Sequence, residues 1–212
     1  MQQKIKHYNE IKESYHHFIL FTLTECRKLI KITSPWDNIE TEPAKPYDHK
    51  WRKKFYMLRC RHILAMTLLG IIGEHLTKLI LLKYGININK SRKPNELITF
   101  GEAKDKFKKH IIKKQNKYFN GLKSYKFYNY QFFNRKKLNP NDCLDLLVEL
   151  RNKYIHHYPE PQGEARAIPW YIYNFLVFLI KKEFNKEDII ENNGRSEALI
   201  YIGDKEVKEC FN

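Results

Sequence analysis

Residues 51–84 carry apolar side chains all around a helical axis, and this restricts the chain to folds that enclose the segment. Leu58, Ile63, Leu64, Met66, Leu68, Leu69, Ile71, Ile72, Leu76, Leu79, Ile80 and Leu82 surround that axis. A helix of this kind is a core helix. Gly70 and Gly73 leave room for a second helix to lie close, and Gly85 predicts the C-terminal stop. Glu74 and Lys78 form an i,i+4 pair in the stabilising order. Glu74 is alternatively placed to orient an arginine from another element.

The remaining segments supply the surrounding layer. Residues 5–32 predict a helix, with Ile5, Tyr8, Ile11, Tyr15, Phe18, Thr22, Cys26 and Leu29 on one stripe. Pro35, Pro43 and Pro46 make residues 33–50 a connector. Residues 86–93 read as a polar loop. Thr99 to Glu102 is a Ser/Thr-x-x-Glu capping box, which opens a basic helix to about Lys114 with Ala103, Phe107 and Ile111 inward. Residues 140–150 read as a further helix, with Asn141 as N-cap. Its stripe is Leu144, Leu147, Val148, Arg151 and Ile155. Pro169 suits the first turn of a last, apolar helix, residues 170–184, with Trp170, Tyr173, Val177 and Ile180 on one face. Residues 198–211 read as a short hairpin. The expectation is one all-α domain, residues 1–212, built as a bundle of five or six helices. Its core spans about 51–184, and residues 185–212 form a C-terminal appendage.

Charge narrows the partners. The formal net charge is +15. Residues 106–141 hold eleven Lys or Arg and no Asp or Glu, so +11 of that charge lies in one stretch. Such a concentration points to a polyanion. Within it, Tyr118, Phe119, Tyr125, Phe127, Tyr128, Tyr130, Phe132 and Phe133 alternate with Lys123, Lys126, Arg135, Lys136 and Lys137. Stacking rings among cations suit single-stranded RNA, and the same rings also suit packing on the core. Lys123, Lys126, Tyr128, Arg135, Lys136 and Lys137 are the candidate RNA-binding residues. Cys26, Cys60, Cys143 and Cys210 have neither metal-ligand nor disulfide spacing, and His16 and His17 point to different sides of a helix. No metal or other cofactor is expected. The run 168–180 is too short to span a bilayer. The expectation is therefore a soluble, cytoplasmic protein without a membrane partner.

The densest chemistry follows the helix at 140–150. Arg151, Asn152, His156, His157 and Tyr158 occur within eight residues, and Pro159 ends the helix. Asn152 and His156 are four apart and share a face. A histidine in a last turn meets the negative end of the helix dipole, which favours its protonated form and makes it a proton donor near neutral pH. An arginine binds phosphate in bidentate fashion. Together they suit phosphodiester cleavage without a metal.

Arg151-Asn152-x-x-x-His156-x-Tyr158 at the end of a helix resembles the motif of the HEPN superfamily, Arg, four to six residues, then His. The Arg-x4-His-x-Tyr form is similar to the toxin half of HEPN/nucleotidyltransferase toxin–antitoxin pairs. Leu97 to Glu102 also looks like a helix start of several HEPN families. The motif residues cover under a tenth of the chain, and the helical layout extends the likeness from about 55 to 184. The resemblance implies a metal-independent endoribonuclease, used as a toxin or in antiviral defence, working as a homodimer in which two copies of Arg151 and His156 meet. Asn152 would position the arginine or the phosphate. Tyr158 would be a modification site, and an antitoxin or other neutralising partner would exist. His157 fits the looser spacing. The alternative is a catalytically silent HEPN module that binds RNA or a partner protein.

Overall fold

The computed structural model describes residues 18–19, 21–30, 49–91, 93–115, 117–122, 125–126, 137–138, 143–156 and 168–184. The described residues form a mostly α-helical fold of five helices with two very small antiparallel strand pairs. The order is α1 (residues 18–30), α2 (His49–Lys83), β1 (Asn89–Lys90), β2 (Lys93–Leu97) and α3 (Phe100–Phe107). Then come a π-helical turn (Lys108–Ile112), β3 (Tyr125–Lys126), β4 (Lys137–Leu138), α4 (Cys143–His156) and α5 (Ile168–Glu183).

Helix α2 is the axis, as its pattern requires. Ala65, Met66, Leu69, Ile72, Leu76, Leu79, Ile80 and Leu81 are buried, and α3, α4 and α5 all pack on α2. Its stretch Cys60–Lys83 is long and apolar enough to cross a membrane by length and composition, whereas the 168–180 run is not. Packing of most of that stretch against other helices accounts for the same composition. The helix ends as glycine dictates. Gly85 has φ +69°, Gly85 N–H donates to Leu82 O and Ile86 N–H to Leu81 O, closing a Schellman motif.

Helix α1 runs antiparallel to α2. The Phe18 ring lies 4.9 Å from His75, and Cys26 Sγ lies 3.8 Å from Ala65 O. Thr22 and Cys26 of the expected stripe are buried, and Leu29 is half-buried against the core; Phe18 is exposed, and Ile19, Leu23 and Ile30 complete the core face. Enclosure pushes the Cys26 thiol up to about 12, so it stays protonated and inert near neutral pH. Residues 5–17, residues 33–48 and the hairpin expected at 198–211 lie outside the described residues.

The segment read as a polar loop contains a hairpin. Asn89 pairs with Leu97 and Lys90 with Lys93, with an irregularity between, and Lys90 Nζ reaches Glu96 at 2.9 Å. The capping box then starts α3 as expected. Thr99 Oγ1 accepts from Glu102 N–H, and Thr99 N–H donates to Glu102 Oε2 at 2.7 Å. These bonds hold the Glu102 carboxyl below its usual range. Ala103, Phe107 and Ile111 are buried, and the helix passes into a π turn in which Lys113 N–H donates to Lys108 O.

Where α2, α5 and the residues after the π turn meet, one buried carboxylate gathers their polar groups. Glu183 accepts from Tyr118 Oη at 2.6 Å and from Tyr84 Oη at 3.4 Å, and Lys83 Nζ reaches both its backbone carbonyl and its carboxylate. Burial and the Glu183 charge push the Tyr118 phenol far up. Tyr118 and Phe119 are therefore core residues, with Tyr118 edge-on to Phe107 and to Phe119, so for these two rings packing on the core, one of the two expected roles, is the one the fold uses. Tyr118→Phe should cost about 1–3 kcal/mol, because it leaves a buried carboxylate short of a donor. Urea unfolding of the variant beside the wild type measures it.

Candidate active site

The site begins with two glycines. A Cβ at Gly70 would stand 2.7 Å from Arg151 Cβ and 3.1 Å from Arg151 Cα. A Cβ at Gly73 would stand 3.1 Å from both Leu147 methyls. Helices α2 and α4 therefore run antiparallel and touch at 70/151 and 73/147, the close approach the glycines predict. Leu144 and Leu147 are buried on this seam and Val148 half-buried. Leu146 and Leu150, also buried, extend the apolar face of α4 beyond the predicted stripe.

This crossing brings Arg151 to Glu74. Arg151 Nη2 lies 2.9 Å from Glu74 Oε2, while Glu74 Oε1 accepts from Lys78 Nζ at 2.6 Å. The side chains retain 26%, 12% and 8% of their exposure for Arg151, Glu74 and Lys78. Both readings of Glu74 hold at once: one carboxylate oxygen takes the i,i+4 lysine and the other holds the arginine. Arg151 Nη1 faces Asn152 Oδ1 at 3.5 Å, a long hydrogen bond, and Asn152 is exposed. The trio of Glu74, Lys78 and Arg151 carries a net charge of +1. An immobilised guanidinium is suited to a phosphoryl group.

His156 is the last residue of α4. The antiparallel crossing sets it level with roughly residue 65 of α2, since both helices rise 1.5 Å per residue. Exposed Leu64 and Met57 lie on that part of α2, and exposed Phe18 and Phe21 lie on α1. His157 and Tyr158 lie outside the described residues.

Of the candidate RNA-binding residues, Lys126 and Lys137 have a described backbone. They stand opposite each other in the β3–β4 pair, beside Tyr125 and Leu138. Lys123, Tyr128, Arg135 and Lys136 lie outside the described residues. A second basic cluster, not singled out from the sequence, lies between α3 and α4. Asp145 joins Lys104 Nζ at 3.0 Å and also Lys108 Nζ. Burial alone would raise its pKa, but the two lysines outweigh that and hold the carboxyl below its ordinary value.

No family model, curated protein or solved structure matches this chain.

Proposed function

We propose that this chain is a metal-independent endoribonuclease of HEPN type, acting as a toxin or in antiviral defence in the cytoplasm. The observation that carries the reading is the fixing of Arg151 by Glu74 five residues before His156, close enough for a long guanidinium to reach round the helix end. An arginine held in this way is preorganised to meet charge that develops on phosphoryl oxygens. In the proposed reaction His156 takes the proton of a ribose 2′-OH. The 2′ oxygen attacks the adjacent phosphorus, and the bond to the 5′ oxygen breaks. A second histidine returns a proton to that 5′ oxygen. One helix end offers one His156, so the second comes from the partner's His156 across a twofold axis. Exposed Leu64 of α2, level with the end of α4, and exposed Met57 two turns before it support a self-interface there. Tyr158, two residues on in the sequence, is then the residue that an antitoxin would modify to block the site.

The test is cleavage of single-stranded RNA in EDTA by a species of twice 25.7 kDa. The expected products end in 2′,3′-cyclic phosphate, and DNA of the same sequence survives. A Mg²⁺ requirement, or cutting of DNA, would overturn the reading. A second reading has its own support: Arg151 is already engaged by a carboxylate, which would hold it back from a phosphoryl group and favours a catalytically silent HEPN module that binds RNA or a partner protein. That reading expects salt-dependent RNA binding with no turnover.

A further inference from the structure

We propose that Lys104 and Lys108 grip backbone phosphates of the RNA strand upstream or downstream of the cut, as a binding site distinct from Arg151 and His156. The inference rests on the ribonuclease reading. Three observations carry it. Both lysines converge on Asp145, a carboxylate of α4, and keep partial exposure. An ammonium group has three donors, so the bridge to Asp145 fixes each lysine while leaving hydrogens for a phosphate.

Helical register then ties this cluster to the candidate active site. Asn152 is seven residues beyond Asp145 and His156 eleven, so all three fall within about 20° of one line along α4, at 100° per residue. The separation is about 10 Å to Asn152 and about 16 Å to His156 at 1.5 Å per residue. A strand lying along this line would place one part at His156 and another at the lysines. Glu149, also exposed, falls about 40° to one side of the line, and Asn152 about 20° to the other.

The surroundings favour an anion. Residues 104–114 carry six lysines against Asp105, and with Asp145 the cluster nets +4. Lys104 Nζ lies 3.6 Å from exposed Asp105, and Lys106 is spent on Asn87 O at 2.7 Å, which leaves Lys109, Lys113 and Lys114 exposed beside the pair. The π turn also begins at Lys108, and such turns recur at functional sites.

The rival explanation is that the two bridges only tie α3 to α4. Two variants of the full chain separate the explanations, because both break the same bridges. One is the double variant Lys104→Gln, Lys108→Gln; the other is Asp145→Asn. Binding is read by fluorescence anisotropy over a salt series, with a single-stranded 2′-O-methyl RNA whose blocked 2′ oxygen cannot attack. Each phosphate contact contributes about 0.7 to the slope of log K against log salt for single strands. The lysine variant should lose about 1.4 of that slope, two such contacts, and Asp145→Asn should keep it. Equal loss of binding in both variants, with the slope unchanged, would overturn the proposal. A wild type that cleaves RNA and a lysine variant with unaltered slope would overturn it while leaving the ribonuclease reading intact. A wild type that neither binds nor cleaves RNA would overturn both.

Discussion

Replacing His156 with alanine should remove RNA cleavage while leaving the protein folded. Proton transfer by a positioned side chain contributes about 10²–10⁴-fold, and in a twofold site one substitution removes both the base and the acid. The loss should therefore exceed that of a single histidine. His156 ends α4, so its replacement leaves the apolar face of Leu144, Leu147 and Leu150 unaltered. Arg151→Ala should lose cleavage and also weaken binding of the phosphate. Glu74→Gln is the graded member of the series. It keeps the shape of the side chain but replaces the carboxylate that fixes Arg151. A guanidinium misplaced by about 1 Å costs on the order of 10²-fold, so kcat should fall by about that factor with KM less affected. Initial rates in EDTA, with circular dichroism of each variant, measure the series. Full activity in His156→Ala and none in His157→Ala would move the catalytic histidine to the looser spacing.

What could be read from the sequence was what short range decides. The all-round apolar pattern of α2, the stop at Gly85 and the capping box at Thr99 each rest on residues within a few positions of one another, and each is present as expected. The close approach at Gly70 and Gly73 was also legible, because a missing side chain in an apolar helix implies a neighbour. Long-range pairing was not. Glu74 is the partial exception: an arginine partner was open to it beside its local partner Lys78, but nothing in the sequence decides between them, since Arg151 lies 77 positions away. Asp145 likewise shows nothing of Lys104 and Lys108 until α3 and α4 pack. The 89–97 hairpin was hidden because strands of two and five residues, with Pro94 inside, lack an apolar alternation. The face of α1 was right at Thr22 and Cys26 but wrong at Phe18, because Phe18 and Ile19 are equally apolar as letters. The role of Tyr118 stayed open because rings among lysines look alike whether they face RNA or the core. The buried Glu183 that decides the matter is 65 residues distant.

The two glycines of α2 should respond differently to alanine. In an exposed helix interior the change gains about 1 kcal/mol from propensity. At Gly73 the new methyl meets the Leu147 methyls at 3.1 Å and the Phe100 ring at 3.4 Å. These are ends of side chains that can yield by a few tenths of an ångström, so Gly73→Ala should be near neutral. At Gly70 the new methyl meets Arg151 Cβ at 2.7 Å and its Cα at 3.1 Å. Backbone cannot rotate away, so α4 has to move off α2. Overpacking of this kind costs about 1–3 kcal/mol, which outweighs the propensity gain. The displacement also falls on the residue that Glu74 holds, so cleavage should drop by about 10²-fold, the cost of a catalytic group misplaced by about 1 Å. Urea midpoints and initial rates of the two variants test both halves. A Gly70→Ala protein as stable and as active as Gly73→Ala would mean that α4 does not cross α2 at Arg151. The arginine would then owe its position to something other than this seam.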